Sequence, residues 1–219
     1  MGTLSDLWNS LDFSAMLSAL MRLIAVFLCL TVHETCHGLA AYVLGDPTAK
    51  REHRLSLNLL HHIDWVGLAC MLVLGFGWAK PVPVDMRYFK KPKQGMALTA
   101  LAGPVSNFVL ALLALLCARL VYHQYGALWD FIFDLLLTTA YLSIGLGLFN
   151  LIPISPLDGS KVLFAFLPDS AYEKLMRYEK YGMIALLILV WLGVGDNVLS
   201  TAIYNVYAAM INFVFRGIV

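Results

Sequence analysis

His33-Glu34-Thr35-Cys36-His37 is the stretch on which the reading of this chain turns. It has the order H-E-x-x-H and stands inside an apolar run, with residues 23–32 before it and 38–44 after it. In a helix, histidines four residues apart lie one turn apart on one face, so both imidazoles can reach a single zinc ion. Glu34 is then offset from both, placed to touch a water on the ion rather than the ion itself. Hydrolysis needs water, so a hydrolytic motif inside a candidate membrane span requires an explanation from the rest of the chain.

The chain has 219 residues, 60% apolar and 13% charged, with mean hydropathy +0.76. Soluble domains average about 45–50% apolar and about 25% charged. The composition therefore predicts an all-α integral membrane protein in contact with the lipid bilayer. It also predicts one polytopic domain over residues 1–219, with no room for a sizeable soluble module. A net charge of +1 gives no sign of a nucleic-acid partner. Cys29, Cys36, Cys70 and Cys117 lie in apolar runs without CxxC spacing and read as small buried hydrophobes. Residues 1–13 lack Lys and Arg, so no cleavable signal is expected.

Outward from the motif, residues 14–44 form a first span, stopped by Gly45-Asp46-Pro47. Residues 63–79 are apolar but carry Asp64, Gly67, Gly75 and Gly77. Pro81 and Pro83 then forbid a helix and favour an extended stretch with one exposed edge. Residues 97–121 and 131–152 read as two further spans, and 181–195 and 197–215 as two closing ones. Of fifteen Lys and Arg, thirteen fall in 46–62, 80–96, 155–180 and the C-terminus. They share one side only if 63–79 is a re-entrant hairpin that leaves by the face it entered. The expectation is thus about five transmembrane helices plus a re-entrant or extended segment near 63–84. The N-terminus would lie outside, with the C-terminus and the motif's end of its span cytoplasmic.

Two histidines leave a catalytic zinc one protein ligand short, with the fourth position kept for water. Glu34, Asp64, Asp130, Asp134, Asp158 and Asp196 are the acidic residues near the apolar segments, where such groups default to functional hypotheses. Context favours Asp158 in Asn150-Leu151-Ile152-Pro153-Ile154-Ser155-Pro156-Leu157-Asp158-Gly159, where prolines unwind the helix end and Gly159 lets the backbone turn. Helix capping is the alternative role for its carboxylate.

His33–His37 together with Asn150–Gly159 resembles the site-2 protease family of intramembrane zinc metalloproteases, whose second signature is a proline-rich Leu-Asp-Gly motif. The likeness extends through 45–51, 54–58, 62–64, 77–84 and Ala102-Gly103-Pro104-Val105-Ser106-Asn107, and is closest to the compact prokaryotic branch lacking PDZ and CBS domains. Leu59 and His53 depart from that branch, which commonly has Pro and Gly there. The resemblance implies a catalytic core over about 14–165, followed by C-terminal helices at about 181–215. It implies one zinc per chain on His33, His37 and Asp158, with Glu34 as the catalytic base. Asn107 would contact substrate or transition state, or else make a helix-packing hydrogen bond. The implied activity is hydrolysis of a peptide bond in or near a transmembrane segment of a membrane-protein substrate, at the cell membrane. Because a helix hides its amides, such a substrate must unwind, and the Pro81–Val84 edge could pair with it by β-augmentation. An inactive membrane-segment-binding scaffold or a zinc transporter with the same fold are the alternatives. Six histidines are too few for a di-iron desaturase, which needs about eight.

Overall fold

The structure is a computed structural model and describes residues 13–74 and 78–217. Residues 75–77 of the expected re-entrant stretch, and the segment before residue 13 read for a signal, lie outside the described residues. The helices are α1 (Phe13–Val43), α2 (Thr48–Arg51), α3 (Trp65–Leu74), α4 (Pro92–Val121), α5 (Ala127–Asn150), α6 (Asp158–Phe164), α7 (Asp169–Arg177), α8 (Glu179–Trp191) and α9 (Asp196–Val214). No strand occurs among the described residues, in keeping with an all-α membrane protein. Among the described residues three helices, α1, α4 and α5, are long and apolar enough to cross a bilayer. Lipid offers no partner for backbone polar groups, and long helices satisfy them internally.

α1, α4 and α5 form the central unit, and α9 packs on α5 and α4. Their seam is built from Ala111, Ala114, Ala118 and Ala140 with Leu115, Ile144 and Val214, all buried. Small side chains let backbones approach closely where hydrophobicity cannot drive helix association. α1 runs antiparallel to α4, since His33 meets Asn107 while His37 meets Thr99. The C-terminal ends of α1 and α5 and the N-terminal end of α4 consequently share one end of the bundle.

At that end the basic loops meet. Lys93 donates to the Leu167 carbonyl, Arg51 to the Tyr88 hydroxyl, and the Lys80 amide to the His62 carbonyl. Residues 46–62, 80–96 and 155–180 thus stand together, as the charge pattern predicted. Residues 78–80 stand beside residues 62–67. Helix α3 has only 10 residues, about 15 Å at helical rise and half a hydrocarbon core. At its base, Lys80 N lies 2.9 Å from His62 O, and a Cβ on Gly67 would stand 2.1 Å from Trp78 O.

The closing segments differ from the expectation of two crossings. α8 has 13 residues, about 20 Å, too few to span. It meets α9 at 84°, through Gly193 and Gly195 at φ 67° and 89°, a left-handed conformation that favours glycine. Counted as one broken span, the pair brings the candidate crossings to four rather than five. α9 then runs antiparallel to α5, with Ile203 beside Gly145, Tyr207 against Tyr141, and Phe215 on Tyr122 and Phe133. The chain's last described turn therefore stands beside the α4–α5 connection, at the end opposite the basic loops. This corrects the expectation that the C-terminus shares their side, and the missing crossing is the reason.

Candidate metal centre

His33 and His37 project from consecutive turns of α1 toward α4, and both are buried, at 4% and 9% exposure. α4 can approach them because residue 103 is glycine. A Cβ there would lie 2.4 Å from His37 Cε1 and 2.6 Å from His33 Cε1. Asp158 opens α6, directly after the Pro153–Leu157 turns that follow α5. Gly159 packs on the end of α5, where a Cβ would stand 2.2 Å from Leu151 O. The two glycines let α4 and α6 close on the motif from two sides.

The three side chains converge. His33 Nε2 and His37 Nε2 are 2.9 Å apart, and Asp158 Oδ2 lies 3.0 Å and 3.1 Å from them. This is the one potential metal-holding cluster among the described residues. A tetrahedral zinc with bonds of about 2.0–2.2 Å sets its ligand atoms roughly 3.3–3.5 Å apart, a few tenths of an ångström from this triangle. Asp158 Oδ2 is buried with no donor at hydrogen-bonding geometry, and two imidazole nitrogens face it. A cation seated among the three atoms would satisfy all of them, so the residues fit zinc. The ionised form of the Asp158 carboxyl is the one that would ligate.

The remaining ring nitrogens are held from α4. His37 Nδ1 is 2.7 Å from the Thr99 carbonyl, which fixes its proton on Nδ1 and turns the Nε2 lone pair to the centre. His33 Nδ1 faces the Asn107 carboxamide, with Nδ2 at 3.2 Å. Asn107 is fully buried behind His33, and its backbone carbonyl accepts from Ser143 on α5.

A cavity of about 530 Å³ opens on the cluster. Glu34, half-buried, lines it beside His33, His37 and Asp158. The helix-free stretch 78–85 adds to its wall through Trp78, Pro81, Val82 and Val84. The Val82 amide donates to Glu34 Oε2 at 2.9 Å. That stretch is anchored on its other side. Arg54 donates to the Lys80 and Pro81 carbonyls, and Asp46 accepts from the Asp85 amide at 2.7 Å. Through Asp46 and Arg54 the 45–58 loop thus holds this stretch at both of its ends.

Of the residues singled out in the sequence, His33, Glu34, His37 and Asp158 come together on one cavity. Asn107 touches His33 and does not line that cavity. Asp64 caps the start of α3 through the amides of Val66 and Gly67, and does not join the cluster. Sequence reading passed over two contributors, the Thr99 carbonyl and the Asn150 side chain on the cavity wall. A backbone acceptor leaves no side-chain signal, and Asn150 had been weighed only as part of its motif.

Residues 118–193 match the family described as Peptidase family M50, a region that includes Asp158 but not the histidines. Over 181 residues the chain is 39% identical to "Putative zinc metalloprotease YwhC" of Bacillus subtilis, covering 80% of this chain and 82% of that protein. It is 28% identical over 169 residues to "Putative zinc metalloprotease Rip2" of Mycobacterium tuberculosis H37Rv, covering 75% and 63%. To "Zinc metalloprotease MJ0392" of Methanocaldococcus jannaschii it is 33% identical over 78 residues, 22% of that protein. No solved structure matches. With the first of these likenesses running through both halves of the chain, this protein belongs to peptidase family M50, the site-2 protease family of zinc metalloproteases.

Proposed function

We propose that this multi-pass membrane protein is an intramembrane zinc protease. It binds one zinc per chain through His33, His37 and Asp158, and cuts a peptide bond in or near a transmembrane segment of a membrane-protein substrate. The observation that carries this reading is the three-atom cluster of two imidazole nitrogens and a carboxylate oxygen, 2.9–3.1 Å apart, on a cavity shared with Glu34. Zinc bound there supplies Lewis acidity toward water and toward the scissile carbonyl.

The chain's own residues do the rest. Glu34 takes a proton from water as the oxygen attacks the carbonyl carbon. It then passes that proton to the departing amide nitrogen as the C–N bond breaks. The Val82 amide engages Glu34 Oε2 and so fixes which way the carboxylate points. A strand-like substrate would lie along 82–84. Pro81 and Pro83 lack amide donors, the Val82 amide is held by Glu34, and the Lys80 and Pro81 carbonyls are taken by Arg54, so Val84 supplies the amide and Val82 the carbonyl of the free edge. The site and its basic loops face the cytoplasm by the positive-inside rule, and both ends of the described chain lie on the outer side. Residues 1–219 act as one domain, with the catalytic core in 14–165.

Wild type and Glu34→Gln, purified and given a panel of single-span membrane peptides, test this reading. Zinc is expected in both proteins and cleavage only in wild type. Cleavage by Glu34→Gln, or wild type without zinc, would sink it.

A further inference from the structure

We propose that Asn107 is a positioning residue whose carboxamide oxygen sets the ring tautomer of His33 and thereby its ability to hold the metal. This rests on the zinc-protease reading above. An imidazole ligates through a lone pair, so a His33 that ligates through Nε2 must carry its proton on Nδ1, and that proton needs an acceptor. His37 has the Thr99 carbonyl for this purpose. On His33 the group facing Nδ1 is the Asn107 side chain, with Nδ2 at 3.2 Å.

Asn107 is fully buried, and its Oδ1 is a buried atom with no hydrogen-bond partner. One end of the carboxamide thus faces a ring nitrogen while the other end is unpaired. A half-turn about the last side-chain torsion exchanges the two ends, which differ little in shape. With Nδ2 toward the ring, Nδ1 must accept and the proton sits on Nε2, where it blocks the lone pair. With Oδ1 toward the ring, Nδ1–H donates, the orphaned oxygen is satisfied, and the Nε2 lone pair faces His37 Nε2 and Asp158 Oδ2. The second orientation is the one in which all three cluster atoms can ligate together. The Ser143 hydroxyl on the Asn107 carbonyl steadies the same turn of α4 from α5. A chain of contacts from α5 through α4 to α1 therefore ends on a metal ligand.

The test compares zinc affinity, by competition with a chromogenic chelator, in full-length wild type, Asn107→Leu and Asn107→Asp. Leucine is close in size and cannot accept, whereas aspartate can only accept. Asn107→Leu is expected to bind zinc about 10–100-fold more weakly, with Asn107→Asp restoring wild-type affinity or exceeding it. Wild-type affinity in Asn107→Leu overturns the proposal. So does equal weakening in both variants, which would mark a packing role alone. Should Asn107→Leu fail to fold, Asn107→Ala, which likewise removes the acceptor, takes its place against Asn107→Asp with the same two outcomes. Wild type without zinc would instead refute the protease reading, so the two failures separate.

Discussion

Replacing Gly103 with alanine probes the centre through a residue that does not line the cavity. The new methyl would lie 2.4 Å from His37 Cε1, 2.5 Å from its Nε2 and 2.6 Å from His33 Cε1. Carbon atoms settle at about 3.5–4.0 Å, so rings and helix must separate by roughly 1 Å. Neither ring recedes freely, because the partners holding them, the Thr99 carbonyl and Asn107, are on α4 itself. Relief therefore breaks those contacts or drives the rings out of the triangle, away from the geometry a single ion needs. The expected cost is about 1–3 kcal/mol in stability from overpacking. Loss of ring orientation should weaken zinc binding by about 10–100-fold. Chelator competition and thermal unfolding in detergent measure both effects. Gly145→Ala is the control: its Cβ meets only Ile203 Cδ1, at an ordinary 3.4 Å, so stability within about 0.5 kcal/mol and unchanged zinc affinity are expected. Wild-type zinc affinity in Gly103→Ala would refute the claim that the close approach of α4 sets the geometry.

Two further outcomes follow from the same contacts. Asp158→Ala should lose zinc while retaining the helical fold, read by metal content and circular dichroism, because the other two ligands come from α1 alone. Retention of zinc at wild-type affinity would reassign the third ligand. Arg54→Ala should leave zinc bound but loosen the 78–85 stretch, since two carbonyls lose their donor, each such bond being worth about 1.5–3 kcal/mol when the donor is charged. Hydrogen exchange at Val82 should then accelerate, and an unchanged rate would show that Arg54 is not the anchor.

How legible these features were depends on how local they are. His33 and His37 could be placed from the sequence because helical period fixes what lies one turn away. Asp158 was found from its neighbours, since prolines and a glycine at a span's end announce a backbone that turns inward. The meeting of residues 78–80 with 62–67 was in keeping with charge bookkeeping across the chain, which needs no coordinates. Contacts between distant segments left no such trace. Val82 with Glu34 and Asn107 with His33 join residues 48 and 74 positions apart. Any of several buried polar groups could have met those atoms. The closing segments misled for another reason: hydropathy records that 181–215 is apolar but not that it turns by 84°. Gly193 and Gly195 were the available signal for that bend.

The division of the proposed ligand set between α1 and α6 also bears on how the protein is made. Synthesis runs from the N-terminus, and Asp158 emerges about 120 residues after His37, some 6–24 s later at 5–20 residues per second. In that interval the nascent chain holds two imidazoles and a glutamate with no carboxylate to close the triangle. Only after α4 and α5 have inserted can α6 dock. On the proposed reading, proteolytic competence is thus deferred until the bundle is assembled, and a half-built copy would pose no threat to membrane proteins inserting around it.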